Sequence, residues 1–310
     1  MLVRKTVVLA KVEATYGTDP VPTPEANALQ VYDVDLKAAG DAIQRNFIQS
    51  SLSQSQFIRG IRSVEISFKT ELKGTGTRGA LPTVGWEGTL FRACGMKETV
   101  TEGTSIVYSP ISTDFESVTL YVYRDGIFHK IVGCMGTFKI TGEVGKYLEI
   151  EWKFNGIYAS PTDASASDEA WSQVKPVTIV GASFSIGAYA AICEKLEIDI
   201  NNTIAARKSL NAASGLIGFQ LTGRSPQGSF DPEVVTEATH GFWAKWESAD
   251  ALALSIGPIG STSGNIIAIA APKVQYKDLS YGDRDGVLTY QVPFALAMNA
   301  GDDELTITIT

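Results

Sequence analysis

Polar and apolar residues alternate with a period of two along most of this chain. In the first half the alternation covers residues 63–72, 115–123, 127–133, 136–144 and 147–154. In the second half it covers residues 195–201, 251–257, 265–271, 273–281, 287–296 and 304–310. A period of two places successive side chains on opposite faces of a strand, so each segment predicts a β-strand with one buried face.

Short turn signals separate several of these strands, and each half also contains one segment with helical spacing. Arg124-Asp125-Gly126 predicts a tight hairpin, residues 143–146 predict a second, and residues 258–265 predict a looser one. The helical segments are residues 81–95, with Trp86, Leu90, Phe91 and Cys94 before Gly95, and residues 236–250, with Phe242, Trp243 and Trp246. We therefore predict a mainly β, antiparallel protein with one amphipathic helix in each half.

Residues 45–72 and 207–234 are similar when they are aligned without gaps. Seven of the 28 positions are identical. The identical pairs are Arg45/Arg207, Phe57/Phe219, Arg62/Arg224, Ser63/Ser225, Ser67/Ser229, Phe68/Phe230 and Glu71/Glu233. The order of predicted elements after each segment also agrees, so the sequence predicts two tandem copies of one β-rich domain. Two equivalent surfaces in one chain would let three chains close a ring with six similar positions.

Charge and cysteine content narrow the function classes. The net charge is −8, of which residues 1–165 contribute −1 and residues 166–310 contribute −7. Such a chain lacks the basic stripe that binds phosphates, so we expect no tight nucleic-acid binding. Its three cysteines include no Cys-x-x-Cys pair, and we expect reduced thiols rather than disulfides or a zinc site. Only residues 6–10 form an apolar run near the N-terminus, so we expect no signal peptide and no membrane role.

Motifs that could carry chemistry are weak. Residues 74–79 read Gly-x-Gly-x-x-Gly, but a dinucleotide site needs a parallel βαβ unit, and the neighbouring strands are predicted to be antiparallel. His129 and His240 are too few for a His-rich metal site, and residues 281–286 lack the distal glutamate of a calcium loop. We therefore predict no enzyme activity, no cofactor and no metal.

Several stretches resemble the major tail tube proteins of long-tailed bacteriophages, of the siphophage and Mu-like type. The N-terminal stretch is AKVEATYGTDPVPTPEANALQVYDVDL, residues 10–36. The others are residues 71–79, 90–110, 115–140, 189–202 and 300–309, in the same order as in that family. The resemblance covers nearly the whole chain.

This resemblance implies a fold and a set of partners. The fold would be two tandem antiparallel β-sandwich or barrel domains, residues 1–163 with an N-terminal arm and residues 176–310, joined by a linker at residues 164–175. The chain would partner with itself in trimeric, pseudo-hexameric rings that stack into a hollow tube. Tape measure, tail terminator and tip proteins would be further partners, and phage DNA would pass through the lumen without specific binding. The protein would belong to the virion tail and would be assembled in the host cytoplasm.

Two sets of residues are predicted to serve the assembly. Glu65, Glu71, Glu149 and Glu151 could face the lumen, although outward, solvated positions fit their alternation equally well. The resemblance implies that the Gln- and Ser-rich segment at residues 41–60 contacts the next ring. Phe47, Ile48, Phe57 and Ile58 would form that contact, and a plain strand extension is the alternative.

Two rival classes stay open at this point. A carbohydrate-binding or adhesin β-sandwich would also be acidic and rich in glycine, with exposed aromatics such as Trp152 and Trp171. A β-sandwich hydrolase would need paired carboxylates in a cleft, and the sequence contains many Asp and Glu residues.

Overall fold

Antiparallel β-structure dominates the computed structural model, which describes residues 2–166 and 168–310. The strands up to Asp163 are β1 (Thr6–Val12), β2 (Ala28–Leu29), β3 (Tyr32–Ile43), β4 (Ile58–Glu71), β5 (Met96–Thr101), β6 (Ser105–Pro110), β7 (Val118–Arg124), β8 (Ile127–Glu143), β9 (Glu149–Tyr158) and β10 (Thr162–Asp163). Those that follow are β11 (Phe184–Ile186), β12 (Cys193–Asp199), β13 (Asn202–Lys208), β14 (Leu216–Arg224), β15 (Gln227–Pro232), β16 (Leu252–Ile259), β17 (Ile267–Tyr276), β18 (Ser280–Arg284), β19 (Val287–Ala297) and β20 (Thr306–Ile309). The helices of the described residues are α1 (Pro24–Asn27), α2 (Gly88–Ala93) and α3 (Phe242–Ser248). The prediction of a mainly β, antiparallel fold is confirmed.

The strands form where one face of the alternation can be buried. In β4 the side chains of Val64, Ile66 and Phe68 are buried, whereas Glu65 between them is exposed. In the first half the buried face is centred on Phe91 of α2, whose ring centroid lies 4.9 Å from those of Tyr108, Phe138 and Trp152. In the second half Phe242 of α3 holds the same place, 5.1 Å from Tyr290 and 5.7 Å from Tyr276. Helices α2 and α3 thus each supply a central aromatic side chain to the core.

Strand pairing follows the same order in the two halves. In the first half the neighbours are, in order, β1, β7, β8, β9, β4 and β3, with β10 on the start of β8. In the second half they are β11, β16, β17, β19, β15 and β12, with β20 on the start of β17. The β5–β6 hairpin and β2 belong to the first half and have no counterpart in the second half's order.

Irregularities in the pairing also recur at corresponding places. Leu36 faces Ile66, and Ile198 faces Gly228. The second pair follows the first by the same number of residues by which Phe230 follows Phe68 in the alignment of the two halves. Register shifts occur at three corresponding places. The shift between Tyr32 and Asp35 corresponds to that between Cys193 and Leu196. Likewise, the shift at Gly40–Ala42 corresponds to that at Thr203–Ile204, and the shift at Val118–Leu120 to that at Leu252–Leu254. A bulge is a specific local feature, so three matched shifts support a duplication. The domain boundaries at residues 163 and 176, with their linker, stay a prediction.

The two halves are joined by backbone pairing and share one hydrophobic core. Strand β12 pairs with β8, where Ile198 faces Ile140, and β20 pairs with β6, where Ile307 faces Tyr108. A single cluster of buried side chains includes residues of both halves. The glycine motif at residues 74–79 belongs to the same junction, because the Gly74 N–H donates to Asn265 Oδ1 (2.7 Å). A Cβ on Gly74 would lie 2.0 Å from the Gly264 carbonyl oxygen, so the glycine serves close backbone contact rather than a nucleotide.

Several predicted element bounds needed correction, including that of the second helix, α3, which covers only Phe242–Ser248 of residues 236–250. Helix α2 begins only at Gly88, because Gly85 lies against the backbone of Ala28, where a Cβ would be 2.0 Å from its carbonyl oxygen. The strands predicted at residues 127–133 and 136–144 form one strand, β8 (Ile127–Glu143), since left-handed Gly133 makes a bulge and not a break. Conversely, residues 273–281 divide into β17 and β18, and the N–H of Lys277 at the break donates to the Pro293 carbonyl.

A buried carboxylate holds the segment after β1. Glu13 is 6% exposed and accepts four hydrogen bonds, from the N–H groups of Gly17 (2.6 Å) and Gly133 (2.7 Å) and from the hydroxyls of Ser117 (2.5 Å) and Thr119 (2.6 Å). The charged side chain is therefore fully paired inside the fold. It ties the segment after β1 to β8 and to the start of β7.

Replacing Glu13 by Gln should destabilise the chain by about 3 kcal/mol, because hydrogen bonds to charged groups are worth roughly 1.5–3 kcal/mol and the amide presents an N–H₂ to two donors. Urea unfolding followed by tryptophan fluorescence measures the change. Glu25→Gln on exposed α1 makes the same chemical change and should leave the free energy of unfolding within about 0.5 kcal/mol. Equal effects of the two variants would contradict the role of Glu13.

A second buried carboxylate is less well paired. Glu87 is 2% exposed, and its Oε2 has no hydrogen-bond partner among the described residues. Burial raises the pKa of Glu87 from 4.5 to about 7, and the nearby Lys73 charge opposes the rise. The folded chain therefore holds a proton at Glu87 under conditions in which the unfolded chain has released it.

Because the folded-state pKa is the higher one, stability should fall as the pH rises from about 4.5 to 7 and should change little from this source above that range. A shift of this size corresponds to about 3 kcal/mol. Glu87→Gln should remove this component, so the loss of unfolding free energy between pH 5 and pH 8 becomes smaller than in the unsubstituted chain. An unchanged pH dependence in urea titrations would contradict the assignment.

Candidate assembly surfaces

One face of the main sheet is charged across five neighbouring strands, β3, β4, β9, β8 and β12. Direct pairing places Glu65, Lys69 and Glu71 of β4 opposite Asn155, Glu151 and Glu149 of β9. The carboxylates at these alternate positions are Asp35, Glu65, Glu71, Glu143, Glu149, Glu151, Glu197 and Asp199, and the lysines are Lys37, Lys69, Lys139, Lys153 and Lys195. We call this surface the charged face. The carboxylates outnumber the lysines on it.

Ion pairs form within and between the strands of the charged face. Lys69 lies 3.0 Å from Glu149 and 3.3 Å from Asp33, Lys153 lies 3.0 Å from Glu151, and Lys139 lies 3.4 Å from Glu197. Glu149 and Asp33 hold the pKa of Lys69 above its usual value. These pairs are partly exposed and contribute little to stability. They form a hydrated surface of both signs with an acidic excess.

The structure places all four predicted lumen residues on the charged face. Glu65 is exposed, and Glu71, Glu149 and Glu151 are partly exposed. Glu71 and Glu149 are direct cross-strand neighbours. The sheet continues from β12 through β15 and β19 to β18, so eight strands adjoin in one series. Whether this face lines a channel stays a prediction at this stage.

Both ends of this series have an unpaired border. Among the described residues, β3 pairs only with β4 and β18 pairs only with β19. Unpaired strand borders are templates for another chain unless they are covered. The sequence did not reveal β18 as a border because its pattern is continuous with β17.

Exposed apolar side chains lie at these two borders. Leu2 and Val3, the latter 92% exposed, line a surface cleft of about 620 Å³ together with residues 31–34, which include the start of β3. At the other border Tyr281 is 58% exposed, and Val287 and Leu288 of the adjoining β19 are also exposed. Such residues usually mark a surface that another molecule covers.

The predicted ring contact is a protruding loop. Residues 44–57 lie between β3 and β4, and strand pairing stops at Ile43 opposite Ile58. Phe47, Ile48, Phe57 and Ile58 are all exposed, and Ile48 is fully so. The Arg45 guanidinium lies 5.6 Å from the Phe47 ring centroid, and that of Arg59 lies 4.9 Å from the Phe57 ring centroid. Ile58 is a strand residue and the other three belong to the loop, whose role in stacking stays a prediction.

The counterpart loop of the second half is folded down, which the sequence did not predict. Hairpin β13–β14 packs on the first half, where Phe219 is 7% exposed in a cluster with Met135 and Leu216. The Phe219 N–H donates to Tyr16 Oη (2.5 Å), which in turn donates to the Gly133 carbonyl (2.9 Å). The identity of Phe57 and Phe219 signals equivalent hairpins. Left-handed Asn201 lies between β12 and β13, where the first half's β3 runs on unbroken.

The remaining chemistry-bearing residues have structural environments. His240 Nε2 lies 2.9 Å from Tyr276 Oη, and burial lowers the pKa of His240 to about 4. The cysteines Cys94, Cys134 and Cys193 are free thiols, and burial raises the pKa of each. The described residues contain no group of three or more His, Cys, Asp or Glu side chains arranged to hold a metal ion. No described helix is long and apolar enough to cross a membrane.

Comparison with known proteins identifies the family. A family model described as phage tail tube protein matches residues 4–301, which is nearly the whole chain. A comparison with curated proteins gives no match. The chain therefore belongs to the phage tail tube protein family and is a structural component of a phage tail.

Proposed function

We propose that this chain is a major tail tube subunit, that three copies form a pseudo-hexameric ring, and that stacked rings make a hollow tube for phage DNA. The observation that carries the proposal is the eight-stranded series with its charged face and two unpaired borders. Closing three such series into a barrel would leave no unpaired border. The repeated pairing order provides six similar units from three chains.

The charged face suits the inner surface of such a tube. Its acidic excess repels phosphates at distances within about 8–10 Å, the screening length at physiological salt. It also lacks the basic stripe that would hold DNA during transit. Glu65, Glu71, Glu149 and Glu151 therefore fit the lumen assignment, and DNA would pass without specific binding.

The protruding loop suits the contact between successive rings. It lies beyond the paired part of β3 and β4 and carries Phe47, Ile48 and Phe57 into solvent. We extend the proposal to this loop as the stacking contact. Tape measure protein inside the tube and terminator and tip proteins at its ends are the further partners expected for this function.

Purified full-length protein should form rings and tubes as its concentration rises, observed by negative-stain electron microscopy. Deleting Gln49–Gln56 should leave soluble, folded subunits that do not form tubes, because the exposed apolar loop is shortened. Leu210→Ser, which changes a fully exposed residue between β13 and β14, should assemble normally. Normal tubes from the deletion would refute the stacking role. A single small species retained on sugar columns would favour the carbohydrate-binding alternative.

Cysteine labelling tests the lumen assignment. In a Cys193→Ser background, Glu65→Cys in the free chain should react with both a small maleimide and a maleimide attached to a carrier protein, since Glu65 is exposed. In assembled tubes the small reagent should still react and the carrier-linked reagent should be blocked. Equal reaction with the carrier-linked reagent before and after assembly would place Glu65 on the outside.

A further inference from the structure

The junction between the two halves shows how two copies of this unit join. Strand β12 lies antiparallel to β8, with Ile198 opposite Ile140, Glu197 opposite Thr141 and Lys195 opposite Glu143. Strand β12 is the second half's equivalent of β3, because Ile198 faces Gly228 as Leu36 faces Ile66. The junction is therefore an internal template for whatever pairs with β3.

Strand β18 is the second half's equivalent of the end of β8. Phe154 of β9 faces Ile66, and Phe294 of β19 faces the corresponding Gly228, so β9 and β19 are equivalent. Five residues before each phenylalanine, Glu149 faces Thr141 of β8 and Thr289 faces Gly282 of β18. Gly282 thus corresponds to Thr141, Tyr281 to Ile140, and Arg284 to Glu143.

We infer that β3 of one copy pairs antiparallel with β18 of the next copy, in the register of the internal junction. This inference rests on the proposed ring. The register places Leu36 opposite Tyr281, Asp33 opposite Arg284 and Lys37 opposite Ser280. The partner is a second copy of this chain, and the contact is head-to-tail, since each copy contributes a different border.

The side chains at the paired positions are complementary. Leu36 and Tyr281 are both apolar, as Ile198 and Ile140 are in the template, and contact would cover the exposed Tyr281 ring. Asp33 and Arg284 carry opposite charges, as Lys195 and Glu143 do, with the signs exchanged. Asp33 has a 69% exposed side chain, so it is accessible to a partner. Cross-strand pairs of these kinds each favour one register.

The residues that precede the first strand of each half, β1 and β11, are also equivalent. Ile179 covers the turn between β8 and β9, where its N–H donates to the Lys146 carbonyl (2.7 Å) and its carbonyl accepts from the Gly145 N–H (3.0 Å). Val3 lies as many residues before Ala10 of β1 as Ile179 lies before Ile186 of β11, so Val3 corresponds to Ile179. Ala10 faces Leu120, and Ile186 faces the corresponding Leu254.

The N-terminal residues of one copy therefore cover the turn between β18 and β19 of the next. In this arrangement Leu2 and Val3 lie against Val287 and Leu288. All four are exposed in the single chain, so the seam accounts for exposed apolar residues at both borders. No other pairing of these borders would follow the internal template.

Disulfide cross-linking tests the register in assembled tubes of Cys193→Ser protein. Directly opposite residues have Cβ atoms about 4.5–5.5 Å apart, close enough for oxidation to join them after small adjustment. Leu36→Cys with Tyr281→Cys should cross-link, and so should Val34→Cys with Asp283→Cys. The mismatched pair Leu36→Cys with Asp283→Cys is the control and should not. A closed ring of three chains limits the product in denaturing gels to a covalent trimer.

Each outcome separates the seam from the ring proposal. Tubes that form but give no Leu36–Tyr281 cross-link, or that cross-link the mismatched pair equally well, overturn the seam and leave the proposed function standing. Cross-linked products larger than three chains overturn the closed three-chain ring and keep the pairing. An unsubstituted chain that stays single at every concentration overturns both.

A point substitution provides an independent measurement. Tyr281→Lys should raise the protein concentration needed for ring formation about tenfold or more, since an apolar contact at the seam is lost. Leu210→Lys is the matched control, because Leu210 is exposed and belongs to neither border strand. Tyr281→Lys also loses ring contacts with Tyr290 (5.2 Å) and Trp243 (6.0 Å), so thermal unfolding should show that both variants are folded at the assembly temperature. Equal assembly of the two variants would contradict the seam.

Discussion

Backbone pairing between β8 and β12 is the interaction on which the rest of the structure depends. It converts two separate sheets into one series and removes one border from each half. The same pairing holds the charged residues of both halves on one face. Among the described residues the borders that stay unpaired belong to β3 and β18, which are the equivalents of β12 and of the end of β8. Among the described residues, the backbone groups on the outer borders of β3 and β18 therefore have no strand partner within the chain.

The stretch near the N-terminus that resembles tail tube proteins has a structural role in this fold. Glu13 accepts four hydrogen bonds and Tyr16 joins the β13–β14 hairpin to β8. Asp19 accepts a hydrogen bond from Tyr121 (2.6 Å) and lies 3.2 Å from Lys130. Burial alone would raise the pKa of Asp19, but the contacts with Tyr121 and Lys130 and a further hydrogen bond from the Val21 N–H hold it below its usual value. The motif thus fixes how the segment after β1 lies on the sheet.

The period-two pattern was sufficient to predict most strands, because one face of each strand is buried and selects apolar residues at alternate positions. It could not distinguish a bulge from a break. Gly133 lies within a continuous strand, whereas residues 277–279 interrupt one, and both look alike in a pattern of polar and apolar letters. Alternation puts Glu65 with Glu71, and Glu149 with Glu151, on one face of each strand, and the pairing of Glu71 with Glu149 puts both sets on the same face of the sheet. The folding of β13–β14 onto Met135 depends on contacts between distant segments, which no local pattern encodes.

Hairpin β5–β6 belongs to the first half alone, and this inequality has a consequence for symmetry. Six sheet units around a ring of three chains would look alike from the inside, where the pairing order repeats. On its other surfaces the ring would carry three β5–β6 hairpins, one from each chain, rather than six. Any protein that docks on surfaces including β5–β6 would therefore meet threefold symmetry, while cargo in the channel would experience nearly sixfold surroundings.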